Sequence, residues 1–150
     1  LKKELNTLPY NEVLNICMQI VKYKKENKEL LSYLLFEAGD EQQYIKNIKE
    51  EIDEYFAEIN SSHIYYAKKS IRKILRFTNR YIRYSGRKQT EADLLIYFCL
   101  KLKSSGIKIK TSTALNNLYE SQLQKIKNAV SKMHEDLQFD YAQEIKQLKD

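Results

Sequence analysis

Apolar residues recur every three or four positions through most of the chain, which is the spacing of amphipathic α-helices. A turn of helix is expected over residues 1–5, and a first full helix follows Pro9, a residue that suits a helix start. The apolar side of this helix comprises Val13, Ile16, Cys17, Ile20 and Val21. A second helix is predicted from an Asn27 cap to Gly39. We expect its four leucines to be buried: Leu30, Leu31, Leu34 and Leu35.

A third helix is predicted over residues 40–60. Asp40 is expected to cap it, because Gln43 stands three residues later in the capping-box position. Its apolar stripe comprises Ile45, Ile48, Ile52, Tyr55, Phe56 and Ile59. The sequence "NSS" at 60–62 is typical of a turn, and a long fourth helix over about 62–85 should end at Gly86.

The remaining helices lie in the last third of the chain. A fifth helix is predicted from a Thr90 cap, with Asp93 in the capping-box position, to just before Gly106. The segment "GIKIKTST" alternates apolar and basic residues, but a lone four-residue strand would have no partner, so a loop is expected there. A sixth helix is predicted over 114–137 and a short last one over 141–149.

Six or seven helices without a strand predict an all-α fold, arranged as one irregular helical bundle or as stacked helical hairpins. The 3 Gly and 1 Pro fit this class, and 150 residues fit a single domain over 1–150. No apolar run approaches the roughly 20 residues of a membrane span, and the charged start lacks the apolar core of a signal peptide. We therefore expect a soluble, cytoplasmic protein without membrane contact. Because residue 1 is Leu, further residues are expected upstream, and a cleaved leader among them stays an open alternative.

The fourth helix carries a cationic face. With 100° per residue, seven basic side chains fall within about 100° of its circumference, opposite its apolar residues. We define these seven as the basic face: Lys69, Arg72, Lys73, Arg76, Arg80, Arg83 and Arg87. Residues 64–110 contain 13 Lys or Arg and 2 Asp or Glu, whereas the rest of the chain is acidic overall. This asymmetry invites an anionic partner.

Three interpretations of the basic face stay open at the level of sequence. It can be the solvated side of an ordinary amphipathic helix. It can be paired internally with the acidic side of the preceding helix, through Glu51, Glu54 and Glu58. It can bind an anionic partner such as a nucleic acid, with Lys88, Lys101 and Lys103 as additions, since Arg matches phosphate geometry and nearby tyrosines offer stacking surfaces.

The residue types of known catalytic and metal sites do not come together in the sequence. His63 and His134 are far apart, and "HEDLQ" lacks the second His of a zinc-binding HExxH helix. Phosphate-binding glycine loops and Glu-x-x-His pairs are also missing. Cys17 and Cys99 lie in apolar patterns and are expected to be buried thiols. We predict no enzyme activity, no cofactor and no metal.

Four stretches carry a resemblance to known proteins: "LKKELNTLPYNEVLNICMQIVKYKKENKELLSYLLFE", "IKEEIDEYF", "AKKSIRKI" and "EADLLIYFCLKLKSSGI". Together they resemble a family of small uncharacterised helical bacterial proteins. The resemblance covers most of the chain and implies a bacterial, all-helical domain without an assigned activity. From the helical pattern and the missing catalytic residues, we expect a non-catalytic adaptor that binds a protein. The alternative is a nucleic-acid-binding protein that uses the basic face.

Overall fold

The computed structural model describes residues 1–149, in which every regular element is helical. The eight α-helices are α1 (Lys2–Thr7), α2 (Tyr10–Tyr23), α3 (Lys25–Ser32), α4 (Glu41–Ala57), α5 (Ile64–Ser85), α6 (Lys88–Ser104), α7 (Thr113–Ser131) and α8 (Glu135–Lys149). A π-helical turn (Tyr33–Glu37) follows α3, and a 3-10 turn (Ile109–Thr111) precedes α7. The all-α class is confirmed, and the described residues contain one helix more than the upper prediction.

The chain divides into two compact units, one spanning residues 1–39 and one beginning at Asp40. The first contains α1, α2, α3 and the π-helical turn, and the second contains α4 to α8. Each unit is described by itself below. The single domain over 1–150 stays a prediction.

The predicted burial of the second helix is wrong for three of its leucines. Leu30, Leu34 and Leu35 are exposed to 36%, 57% and 63%, and Leu31 is half-buried. Leu34 and Leu35 lie within the π-helical turn, whose wider winding shifts side-chain directions relative to a regular α-helix, whereas Leu30 precedes this turn in α3. Tyr33 is the residue that this turn buries.

The start of α3 also differs from the prediction. The helix begins at Lys25, with Lys24 in the cap position, so Asn27 lies inside its first turn. The side-chain amide of Asn27 instead donates a hydrogen bond to the carbonyl oxygen of Ile20, at 2.7 Å. Asn27 therefore satisfies an acceptor of the preceding helix end rather than a donor of its own helix.

Helix α6 forms the centre of the second unit. It contacts α4, α5, α7 and α8. Its buried residues are Thr90, Ala92, Leu94, Leu95, Ile96, Phe98, Cys99 and Leu102. Because these residues span about 240° of its circumference, α6 packs against neighbours on several sides.

Helices α4 and α5 pack as an antiparallel hairpin. The Tyr44 hydroxyl, near the start of α4, donates to the Tyr81 carbonyl oxygen near the end of α5, at 2.6 Å. Farther along, the rings of Tyr55 and Phe77 meet edge to face with centroids 5.0 Å apart. The Asp40 cap is confirmed, since its carboxylate accepts from the Gln43 backbone at 3.2 Å. Helix α4 ends at Ala57, before the predicted boundary.

Two predictions about the later helices are wrong. Helix α6 starts at Lys88, so Thr90 is a buried residue of its first turn and not its cap. The single predicted helix over 114–137 is interrupted after Ser131, and α8 begins at Glu135. His134 provides the start of α8, because its ring Nδ1 accepts a hydrogen bond from the Asp136 backbone at 3.2 Å. Histidine is not among the preferred capping residues, so local capping rules do not predict a helix start there.

Candidate functional site

Six of the seven residues of the basic face lie on the solvent side of α5, whereas Arg87 follows Gly86 at the cap position of α6, so its predicted place on the same helix is wrong. The buried residues of this helix are Ala67, Ile71, Ile74, Phe77, Thr78 and Ile82. Six of the seven cations of the basic face are exposed, and Arg80 is half-buried. The separation predicted from helical periodicity is therefore present in the structure.

Five cations of the basic face carry uncompensated charge. Within residues 1–149, no ion pair or side-chain hydrogen bond engages Lys69, Arg72, Lys73, Arg76 or Arg83. Arg87 differs from them, because its Nε lies 3.1 Å from the carboxylate of Glu41 at the start of α4. The open part of the basic face thus runs from Lys69 to Arg83.

Ion pairing between the basic face and α4 involves fewer carboxylates than the sequence allowed. Among the described residues, Glu54 and Glu58 make no ion pair, although α4 and α5 lie side by side. Glu51 and Arg80 each have a partner within the chain. The acidic side of α4 therefore leaves Arg76 and Arg83 without a carboxylate.

Arg80 is held against aromatic rings at the edge of the basic face. Its guanidinium carbon lies 5.9 Å from the centroid of the Phe77 ring and 5.4 Å from that of Tyr81. Beside it is a surface groove of about 230 Å³, lined by Tyr55, Lys73, Ile74, Arg76, Phe77 and Arg80. Sequence periodicity predicted the cations but not this groove, because the wall contributed by Tyr55 belongs to α4.

The three lysines considered as additions to the basic face are engaged elsewhere. Lys88 pairs with Glu91 at 3.1 Å, and Lys101 pairs with Asp53 at 3.2 Å. Lys103 donates to the backbone carbonyl of Gln147 at 2.8 Å. Lys88 makes its contact within α6, and Lys101 and Lys103 connect α6 to α4 and α8. The three lysines therefore do not extend the open part of the basic face.

A second candidate surface lies on α2 in the first unit. Apolar residues span about 220° of this helix, from Tyr23 and Ile16 on one flank to Leu14 and Met18 on the other. None of its residues is fully buried. Its exposed apolar residues include Leu14 at 46%, Met18 at 41% and Ile20 at 55%. A helix apolar over more than half of its circumference normally has neighbours on several sides.

Cys17 lies on this same helix and is only half-buried, so its predicted burial is wrong. Cys99 is buried as predicted, and burial raises the pKa of its thiol to about 12. A thiol with such a pKa stays protonated and is a poor nucleophile at neutral pH. Cys99 therefore acts as a packing residue of α6.

A polar network that the sequence did not reveal connects α4, α6 and α8. The Tyr97 hydroxyl donates to the carboxylate of Asp53 at 2.6 Å. The Tyr141 hydroxyl donates to the carboxylate of Asp93. Asp93 was expected to complete a capping box at the start of α6, and this prediction is wrong. Its tertiary partner is 48 residues away in sequence, beyond any local pattern.

Burial shapes the ionisation of this network. The pKa of Asp93 is raised by burial, against the opposing effects of the Tyr141 hydrogen bond and of Lys49. The pKa of Glu144 is raised by its partial burial and by the charge of Asp93. Burial, together with Asp53, raises the pKa of Tyr97 to about 12. Shifted groups can mark catalytic sites, but Asp93 accepts from Tyr141, a tyrosine that joins α8 to α6.

The described residues hold no cluster of three or more His, Cys, Asp or Glu side chains suited to a metal ion. None of the helices within residues 1–149 combines the length and the apolar character that crossing a bilayer requires. His63 stands exposed at the cap of α5, where its ring makes no capping hydrogen bond. Comparison with known proteins adds no assignment: no family model, no curated protein and no solved structure matches this chain.

Proposed function

We propose that this chain is a non-catalytic interaction domain that binds a partner protein through the apolar surface of α2. The observation that carries the proposal is the width of that surface. About 220° of α2 is apolar, and Ile20 and Leu14, which lie on either side of the centre of this surface, are both exposed. Apolar surface left in water has a free-energy cost that association with a partner removes, at about 25 cal/mol per Å².

The partner that this surface fits is an apolar helical face of another protein. Membrane-surface helices are typically rich in Lys and Arg on their polar side. Helix α2 has only Glu12 and Lys22 as charged residues, so it lacks the attraction to anionic lipids. A helix packed along Leu14, Met18 and Ile20 would bury this apolar surface through interdigitating side chains.

Site-specific photocrosslinking tests this proposal. A photoreactive amino acid at Ile20 should give a defined protein adduct in cells, whereas the same residue at Gln19, on the polar side of α2, should not. Ile20→Glu should then weaken binding of the purified, identified partner at least about tenfold, because it places a charge in an apolar contact. Gln19→Glu is the matched control.

Equal crosslinking from both positions, or unchanged affinity of Ile20→Glu, would contradict the assignment of the surface. An adduct between two copies of the chain would show that the α2 surface binds a second copy and not a different protein. Circular dichroism melting of both variants separates a lost contact from a lost fold.

A second candidate function is nucleic-acid binding through the basic face. The observation that favours it is the absence, within residues 1–149, of ion pairs to Lys69, Arg72, Lys73, Arg76 and Arg83. Cations without carboxylate partners are free to neutralise phosphates and release counterions. Arg76 and Arg83 are two turns apart on one exposed side, so one backbone could contact both.

Fluorescence anisotropy with labelled oligonucleotides at 50 and 200 mM salt tests this function. Arg76→Glu/Arg83→Glu should remove most of the binding. The slope of log K against log salt should fall by about 1.4 to 1.8, which is two phosphate contacts at 0.7 to 0.9 each. Lys125→Glu/Lys146→Glu changes the net charge equally at exposed positions of α7 and α8 and should bind normally. If both pairs lose affinity alike, net charge and not the basic face governs binding.

A further inference from the structure

The groove beside Arg80 has features that a simple phosphate-binding surface would not need. Its walls are the aromatic rings of Tyr55 and Phe77, contributed by two different helices and fixed edge to face. Its rim carries Lys73 and Arg76, which make no ion pair within residues 1–149. The guanidinium of Arg80, held against Phe77 and Tyr81, supplies a planar cation at its side.

We propose that this groove takes one unpaired nucleobase of a single-stranded nucleic acid, while Arg72, Arg76 and Arg83 hold the adjoining phosphates. The inference rests on the second function above and specifies its ligand. Aromatic rings and arginine planes are the surfaces on which proteins stack bases of single strands. With about 230 Å³, the groove is smaller than the 300 Å³ or more of a drug-sized pocket and suits a single ring system.

The position of the groove beside the line of cations favours a single strand over a duplex. Lys69 and Arg83 are 14 residues apart on one side of α5, which is about 21 Å along the helix at 1.5 Å per residue. The groove opens at the edge of this line of charge, between Lys73 and Arg80. A base in a duplex reaches such a groove only after leaving its stack, which costs a few kcal/mol, whereas a base in a single strand is already free.

The decisive comparison uses three labelled probes with the purified full chain at 50 mM salt. They are a 12-nucleotide deoxythymidine strand, an abasic strand with the same phosphates, and a 12-base-pair duplex. We expect the deoxythymidine strand to bind at least about tenfold tighter than the other two, the effect of one well-stacked base.

Tyr55→Leu should remove this preference while keeping the abasic affinity, because it deletes a ring and leaves the cations in place. Tyr65→Leu, at a tyrosine exposed to 69% and outside the groove, is the matched control and should keep the preference. Equal affinity for the deoxythymidine and abasic strands, with both lost in Arg76→Glu/Arg83→Glu, would overturn the base-binding groove and leave polyanion binding standing. No binding of any probe at 50 mM salt would overturn both.

Discussion

The hydrogen bond from Tyr141 to Asp93 should stabilise the second unit in a pH-dependent way. Tyr141, on α8, is buried, with 5% of its surface exposed. Its hydroxyl donates to the partly buried carboxylate of Asp93 on α6. Tyr141→Phe keeps the ring and removes the donor. Hydrogen bonds to charged groups contribute about 1.5–3 kcal/mol, and partial exposure of Asp93 places the loss near the lower end. A loss of about 2 kcal/mol lowers the melting temperature by about 4–8 °C in a chain of this size.

The sign of the pH dependence follows from the raised pKa of Asp93. Its carboxyl binds a proton more tightly in the folded state than in the unfolded chain, where the pKa is near 3.8. Its stabilising contribution is therefore complete below that value and is lost as the pH rises through the folded pKa. Asp93→Asn removes the buried charge and keeps an acceptor for Tyr141. The stability of Asp93→Asn relative to wild type should increase between pH 4.0 and pH 7.5.

The two substitutions form a double-mutant cycle, measured by urea denaturation with circular dichroism at both pH values. Tyr141→Phe should cost more at pH 7.5 than at pH 4.0, because the ionised carboxylate needs the donor most. In the Asp93→Asn background its cost should fall to about 1 kcal/mol, the value of a neutral hydrogen bond. Tyr65→Phe, at an exposed ring, is the control. An equal cost of Tyr141→Phe in both backgrounds and at both pH values would refute the reasoning.

Three further predictions concern the second unit. Leu94→Ala, at a fully buried position of α6, should cost about 2–5 kcal/mol in urea denaturation, and Leu100→Ala, at an exposed position of the same helix, less than about 1 kcal/mol. Gly86→Ala should cost about 1–2 kcal/mol because φ is 68° there and only glycine adopts it freely, whereas a stabilising effect in thermal melts would contradict this reason. Iodoacetamide at pH 8 should label Cys99 only in denaturant, as peptide mass spectrometry can show, and labelling in the folded protein would contradict its burial.

Features set by residues close in sequence were predictable. The Asp40 cap and the end of α5 at Gly86 depend on local rules for caps and left-handed residues, and both are present. The outward position of the basic face followed from 3.6-residue periodicity alone. Periodicity determines which side chains share a side of a helix. On α5 it separates the cations from the apolar residues, so only one side could face the core.

Features set by distant residues were not predictable. The partner of Arg87 is Glu41, and the partner of Asp93 is Tyr141, so no window along the sequence contains either pair. The interruption between α7 and α8 lacks Gly or Pro and is closed by Gln138, whose amide donates to the Met133 carbonyl at 2.8 Å. An apolar pattern that continues through such a break predicts one helix where the chain forms two.

The two proposed surfaces would respond to salt in different ways, because their physical driving forces differ. Binding through α2 removes apolar area from water, and its affinity should change little between 50 and 200 mM salt and carry a negative heat-capacity change. Binding through Arg76 and Arg83 exchanges counterions for side chains, so its affinity should fall steeply over the same range. Ile20→Glu and Arg76→Glu/Arg83→Glu lie in separate units. Each should therefore weaken binding through its own surface and leave binding through the other surface unchanged. A partner whose binding is both steeply salt-dependent and sensitive to Ile20→Glu would show that the two surfaces act on one ligand.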